Sequence, residues 1–409
     1  MPFTLWALDP RLARSGGFAR CGASTVRRVS NDAAALVEAF RARTERQPAG
    51  VWTAPGRVNL IGEHTDYNEG YVLPFALAQR VLIAAAPRQD SLWSVTSLNN
   101  HSTENFHAAD LQPGMTGWQA YAAGVVWALK EAGHGICGAD LVLSSDVPVG
   151  AGLSSSAALE CAVLTALADL NDLDIDGLER AKLARRAENA FVGAPTGLMD
   201  QAASTLCTVG HALFFDCRTA EAEQVLFDTA SAGMEILVLD TKTPHALVDS
   251  EYAARRVSCE EAARLLGVAA LRDVTDLDSA LQRLPDPVIQ RRVRHVVSEN
   301  ARVLEAVEVL RASRIADLAP LLDASHASMR DDFEITVPQV DLAVETARAS
   351  GALGARMTGG GFGGCIIALV PAGDVERVGG EIARSFADAG YGPPVHFAAL
   401  PSAGAQRLQ

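Results

Sequence analysis

Pro148-Val-Gly-Ala-Gly-Leu-Ser-Ser-Ser-Ala-Ala-Leu-Glu160 is the stretch on which the reading of this chain turns. Two glycines, Gly150 and Gly152, precede three hydroxyls, Ser154, Ser155 and Ser156, and an Ala- and Leu-rich run follows to about Leu170. Glycine lets a backbone turn tightly and approach a ligand closely. Serine at the mouth of a helix caps free N–H groups. Those N–H groups and the helix dipole together attract anions. The stretch therefore reads as a phosphate loop leading into a buried helix, with a hydroxyl placed to ligate Mg²⁺. It lacks the Gly-Lys-Ser/Thr of a Walker loop. Taken alone, it reads equally well as a Gly/Ser turn that caps a core helix, and the rest of the chain has to choose.

Composition narrows the choice. At 409 residues the chain is long enough for two domains with substantial cores. It is 49% hydrophobic and 21% charged, with a net charge of -14 and a pI near 5.1. Such a surface repels nucleic acid and anionic membranes, so neither is an expected partner. The seven cysteines, Cys21, Cys137, Cys161, Cys207, Cys217, Cys259 and Cys365, are odd in number and form no Cys-x-x-Cys pair. Reduced, buried thiols in a cytoplasm are expected rather than disulfides or zinc. No apolar run approaches the ~20 residues of a membrane span.

Residues 1–30 set Arg11, Arg14, Arg20, Arg27 and Arg28 against a single acid, Asp9. They read as a poorly ordered basic extension; a targeting peptide would need an apolar region that does not follow. An amphipathic helix capped by Asn31 comes next. Ala54-Pro-Gly-Arg-Val-Asn-Leu-Ile-Gly-Glu-His-Thr-Asp-Tyr-Asn68 then offers a strand, Val58 to Ile61, followed by a dense polar turn. Its alternating donors and acceptors suit a neutral polyhydroxyl ligand. His64 between Glu63 and Asp66 also admits a metal site, though no second histidine stands at ligand spacing. A plain polar surface turn is the third possibility.

Strands are expected at Val81–Ala86, Leu92–Ser97, Leu141–Ser144, Ala212–Phe215, Glu235–Leu239 and Pro394–Ala399. Helices are expected from Trp118 to about Ala132, over Leu178–Phe191 carrying Glu188, and over Tyr252–Leu265, Ile289–Ala312, Val337–Ser350 and Val375–Ala389. Val303, Ala306, Val307 and Leu310 share one helical face, as do Val340, Ala343, Val344 and Ala347; these are core stripes. The acidic, Ala-rich stretch from Thr219 to Gly233 looks like a connection between domains. Mixed elements in both halves give an α+β chain, divided as 31–220 and 221–409 after the extension.

The segment around Glu63–Asp66 resembles the galactokinase signature almost residue for residue. The phosphate loop resembles the second motif of the wider superfamily of galactose, homoserine, mevalonate and phosphomevalonate kinases. Gly354-Ala-Arg-Met-Thr-Gly-Gly-Gly-Phe-Gly-Gly-Cys365 resembles the third, in order and at similar spacing. Ala212–Arg218, Ser250–Arg256 and Ser325–Ser328 are also similar to the family, so the resemblance spans roughly Asn31 to the C-terminus.

The resemblance implies an N-terminal domain like ribosomal protein S5, a ferredoxin-like C-terminal domain, and an active site in the cleft between them. It implies ATP-dependent phosphorylation of the 1-hydroxyl of galactose by a monomer. Asp200 would be the base, with Arg57 beside it favouring its charged form. Glu63, His64, Asp66 and Tyr252 would bind the sugar: Glu63 at the 6-position, Asp66 at the 3- and 4-hydroxyls, Tyr252 at the 4-hydroxyl. Trp118 and Tyr121 would flank the adenine. Gly150, Ala151, Gly152, Leu153, Ser154, Ser155, Ser156 and Ala157 would hold the triphosphate, and Ser156 with Glu188 would ligate Mg²⁺. The chain departs from the family at Val149 and Ala151, at Thr196 where cysteine is common, and at Gln339 where an acid is frequent. Two other functions compete: a sister sugar-1-kinase for N-acetylgalactosamine, galacturonate or arabinose, and a galactose sensor without catalysis. The sensor resembling this family lacks a Ser-Ala pair in its phosphate loop, and here Ser154-Ser-Ser-Ala157 is complete.

Overall fold

The computed structural model describes residues 32–243 and 248–409, so the expectation for residues 1–30 lies outside it. The first helix, Ala33–Thr44, is capped by Asp32, whose Oδ1 accepts from the Ala34 N–H at 2.9 Å. The cap is thus one residue later than the Asn31 expected from sequence.

Gly50–Asn59 lies inside a six-stranded sheet. Its order is Gln406–Arg407, Gly50–Asn59, Pro74–Pro87, Ala139–Ser145, Leu92–Ser97, Ser102–His107. The helices Gln119–Glu131 and Ser155–Leu170 cover one face, where Trp52, Ala54, Ile83, Leu141, Val163 and Leu167 share a core. The opposite face meets the first helix, with Leu36 and Phe40 on Val51, Leu82, Ala84 and Val142. A strand covered on both sides has no polar face, and every residue of Gly50–Asn59 is buried. The strand was expected at Val58–Ile61, and Pro55 and Gly56 lie ahead of it. They sit in a bulge between Pro55 and Arg57, and the strand ends where it was expected to begin.

Three short strands, Tyr71–Val72, His211–Asp216 and Ala222–Leu226, form a side sheet. The last lies within the stretch read as a connection. Only Val225 of that strand is buried, and its apolar residues, Ala222, Val225 and Leu226, do not alternate as a half-buried strand's would. A four-stranded antiparallel sheet follows, ordered Gly354–Thr358, Cys365–Pro371, Met234–Asp240, Val395–Ala399. Val340, Ala343, Val344 and Ala347 are buried in its core.

One helix joins the two cores. Pro287–Arg311 places Val293 and Val296 against the four-stranded sheet's core, and Val303, Ala306 and Val307 in the core of the six-stranded one. The C-terminal strand reinforces this link, since Trp52 pairs with Arg407 and Thr53 with Gln406. The expected helix Leu178–Phe191 is α-helical only over Gly177–Arg186 and widens into a π-helix over Ala187–Val192. Among the described cysteines all are free. Cys161, Cys207, Cys259 and Cys365 are buried, but Cys137 is exposed, at the end of a Gly-rich turn that no helix covers. No helix among the described residues is long and apolar enough to cross a membrane.

Candidate active site

The phosphate loop leaves the six-stranded sheet at Ser145 and enters the helix at Ser155. Its backbone turns left-handed at every second residue, Gly150 (φ 70°), Gly152 (φ 75°) and Ser154 (φ 57°). The first N–H groups of the helix that follows have no intrahelical partners, and such a helix start attracts anions. The side chains of Ala151 and Leu153 are buried in the core, so these two residues offer a nucleotide only their backbone. A Cβ on Gly359 would lie 2.9 Å from the Gly152 carbonyl. The second and third motifs therefore touch through glycine backbone.

Arg57 stands at the foot of this loop. The bulge turns it toward the helix Met199–Leu206, which Ser204 fixes by donating to the Pro55 carbonyl at 2.7 Å. Arg57 Nε donates to Asp200 Oδ1 at 2.8 Å, and its Nη2 forms an ion pair with the same oxygen at 2.7 Å. Its Nη1 donates to the Gly152 carbonyl at 2.6 Å, bracing the loop. Ser154 Oγ donates to the other oxygen of Asp200, Oδ2, at 2.5 Å. Sequence reasoning gave Ser154 a place in the loop but no partner.

Glu188 comes to the same region on the π-helix. Such turns displace a side chain relative to the helix before them. Its Oε2 accepts from Thr196 Oγ1 at 2.8 Å and from Gln201 Nε2 at 2.7 Å, and Ser156 also hydrogen-bonds it. Burial pushes the Glu188 acid above its ordinary value, against the pull of the Ser156 hydroxyl. Behind it, burial and the charge of Glu188 push Glu160 well above its own ordinary value. Thr196, Gln201 and Glu160 were not chosen from sequence. The signal was present for Glu160, an acid one turn beyond Ser156 in a run of Ala and Leu.

The polar turn forms the other wall. His64, itself left-handed at φ 60°, is buried among Tyr67, Tyr252 and Phe333, with ring centroids 5.6, 5.0 and 4.9 Å away. Its Nε2–H donates to the Gly360 carbonyl at 3.2 Å, which leaves Nδ1 to accept from the Tyr67 hydroxyl at 2.7 Å. Burial, then the nearby His295, lowers its pKa to about 3, so the ring is neutral. No group of three or more metal-ligating side chains occurs among the described residues. Asp66 lies against Gly197, where a Cβ would stand 1.7 Å from its Oδ2. Burial and then the charge of Asp200 raise its pKa to about 6. Burial, followed by the charges of Asp66 and Asp200, raises Tyr252, so that phenol keeps its proton.

Glu63, like its neighbours His64 and Thr65, is enclosed by the protein. The resemblance puts it on the sugar, but here it is 1% exposed and its carboxylate is occupied by the protein. Oε2 accepts from Asn59 Nδ2 and Arg356 Nη2, each at 2.6 Å, and Oε1 accepts from the Gly359 N–H at 2.8 Å. Arg356 also donates to the carbonyls of Asn59 and Leu60, at 3.2 and 2.9 Å, and lies 3.9 Å from Glu299. Glu299 accepts from the Gly62 N–H at 3.0 Å, Ser325 Oγ at 2.7 Å and Arg302 Nε at 2.7 Å. Burial would raise Glu299, but Arg302 and Arg356 outweigh it and hold the acid at about 2.

Trp118 opens the helix Gln119–Glu131 and donates from Nε1 to Ser102 Oγ at 3.1 Å. Ser102 pairs with Ser97, and Ser97 with Leu143, two residues before the strand ends at Ser145. Trp118 and half-buried Tyr121 thus stand at the sheet end from which the phosphate loop departs.

Three family models match this chain: the galactokinase galactose-binding signature over residues 38–87, the GHMP kinases N terminal domain over 120–208, and the GHMP kinases C terminal over 306–388. A galactokinase of Streptomyces coelicolor is 51% identical over 376 residues, covering 91% of this chain and 97% of its own. One from Mycobacterium tuberculosis is 47% identical over 344 residues, 83% of this chain and 94% of its own. The crystal structure of Lactococcus lactis galactokinase complexed with galactose superposes with a TM-score of 0.87 at 33% identity, covering 92% of this chain and 99% of that one.

Proposed function

The chain belongs to the galactokinase family, and from that premise we propose how its residues divide the work. The reaction is ATP-dependent phosphorylation of galactose at its 1-hydroxyl, giving galactose 1-phosphate and ADP. In such transfers the protein holds the phosphates, neutralises charge and aligns the nucleophile. The loop from Gly150 to Ala157 holds the triphosphate through backbone N–H groups. Asp200 accepts the hydrogen bond of the 1-hydroxyl and takes its proton late, as the new O–P bond forms. Arg57 pairs with that carboxylate and ties it to the loop. His64, Asp66 and Tyr252 bind the sugar ring, and Glu63 supports their turn from beneath. Trp118 and Tyr121 flank the adenine.

Ser156 and Glu188 present hard oxygen donors side by side, a set that fits Mg²⁺, which takes few protein ligands and completes its shell from phosphates and water. Bound there, the ion would neutralise charge on the transferring phosphoryl group. Thr196 and Gln201 would hold the Glu188 carboxylate in place. We propose further that residues 31–220 form a domain like ribosomal protein S5 and residues 221–409 a ferredoxin-like one, with the site in their cleft. The enzyme would act as a cytoplasmic monomer on free sugar and MgATP.

The observation that supports this reading best is the junction of Arg57, Ser154 and Asp200 at the foot of the glycine loop. A coupled assay for ADP release over a panel of free sugars tests it, with galactose expected to be fastest. Faster turnover of N-acetylgalactosamine, galacturonate or arabinose would make it a sister kinase. Galactose binding without ADP release would make it a sensor.

A further inference from the structure

Ser154 is unusual in two independent ways. Its backbone is left-handed, at φ 57°, a conformation that costs a residue with a Cβ more than it costs glycine. It also occupies the N-cap of the helix Ser155–Leu170, yet its side chain makes no capping hydrogen bond. Neither local demand calls for a serine here. Glycine would suit the backbone, and it caps a helix nearly as well. The hydroxyl goes elsewhere, to Asp200 Oδ2 at 2.5 Å, in a buried setting.

A carboxylate has about four lone-pair directions, two on each oxygen. Arg57 holds Oδ1, donating from Nε at 2.8 Å and setting Nη2 in ion-pair contact with it at 2.7 Å. Ser154 takes one of the two on Oδ2. We infer that Ser154 is a positioning residue for Asp200, holding Oδ2 so that a single remaining lone pair is presented to the nucleophile. The inference rests on the assignment of Asp200 above and deepens it. Without the hydroxyl the carboxylate pivots about its contacts with Arg57, and the reacting oxygen loses its defined direction. Misalignment of this kind lowers turnover more than binding.

The test separates hydroxyl from backbone. Ser154→Ala removes the hydroxyl and keeps a Cβ in the left-handed conformation; Ser154→Gly removes both. Hydrogen bonds to charged groups are strong enough for a loss of about tenfold to a hundredfold in kcat in both variants. KM for ATP should stay within about twofold. Thermal melting should rank Ser154→Gly above Ser154→Ala, so that kcat follows the hydroxyl while stability follows the backbone. A kcat for Ser154→Gly within about twofold of wild type would overturn the proposal, since the lost activity of Ser154→Ala would then come from the backbone. If wild type is active and Asp200→Asn is not, that result sinks the role of Ser154 alone. Wild type without galactose-dependent ADP release would sink the assigned reaction and this role with it.

Discussion

Arg57–Asp200 and Arg356–Glu63 are both short arginine–carboxylate pairs between distant segments, at 2.7 and 2.6 Å. They differ in what surrounds them. The Asp200 side chain is 21% exposed and keeps one side of its carboxylate open. Arg356 and Glu63 are 0% and 1% exposed, and protein donors meet both oxygens of Glu63. The first pair leaves a carboxylate within reach of a ligand. The second joins the strand Gly354–Thr358 to the sugar turn and leaves nothing available for chemistry. An arginine–carboxylate pair left open can meet a ligand, while an enclosed one can only clamp, and solvent access separates the two.

Asp200→Asn should break the open pair's function with the largest effect. Turnover should fall by about a hundredfold to ten-thousandfold, with galactose binding and melting temperature nearly kept. A variant that retains a tenth of wild-type turnover would remove Asp200 from the centre of the mechanism. Arg356→Met should do the converse. It leaves Glu63 buried without its arginine and Glu299 with Arg302 alone, which should cost about 3–5 kcal/mol of stability in urea denaturation. A lowered kcat with an unchanged urea midpoint would show that the closed pair also takes part in catalysis.

Tyr252→Phe sharpens the comparison at the wall between the pairs. Galactose and glucose differ in the direction of the 4-hydroxyl, so selection needs a directed hydrogen bond. One underpaired polar group costs ~1–3 kcal/mol. Removing the phenol hydroxyl should therefore narrow the galactose-to-glucose ratio of kcat/KM by about tenfold. An unchanged ratio would move the discriminating contact elsewhere. The smallest effect concerns Asp66, raised from 3.8 to about 6 by burial and then by Asp200. The folded state holds that proton more tightly than the unfolded chain, so this group's contribution to stability falls between those two values as pH rises. Its charged form accepts sugar hydroxyls better. KM for galactose should therefore fall several-fold as pH rises through about 6, and Asp66→Asn should abolish the inflection. A flat KM in wild type would take Asp66 off the sugar.

Much of the architecture was readable because it rests on apolar spacing. The stripes at Val303–Leu310 and Val340–Ala347 are buried as their periodicity required. The misreadings share one cause, which is that local rules yield to tertiary packing. Pro55 and Gly56 break a regular strand but are at home in a bulge. Ala222–Leu226 is a strand whose apolar residues do not alternate, held by pairing with its neighbour. In the site, residue types at motif positions could be chosen, but their partners could not. Ser154 looks like a cap and bonds Asp200 instead. Glu63 looks like a sugar ligand and has both carboxylate oxygens met by the protein. Arg356 and Glu299 did leave a trace. Arg356 sits in a strand buried at every position, and Glu299 lies between the apolar turns Val296 and Val303 of one helix. A charge in such a place needs a partner, but sequence does not say which.

The strand Gln406–Arg407 lies beside Gly50–Asn59, so the first sheet is completed by the end of the chain. Its first edge is made early in translation and its covering strand comes about 350 residues later. At the ~5–20 residues per second of protein synthesis, that edge waits roughly 20 to 70 seconds. An unpaired strand edge is a template for pairing with other chains. The nascent protein thus passes through a period in which Trp52 lacks both its ladder partner and the Arg407 guanidinium that later covers its ring at 5.1 Å. Yield in the cell would then depend on how quickly Gln406 and Arg407 are delivered, although neither belongs to the proposed site.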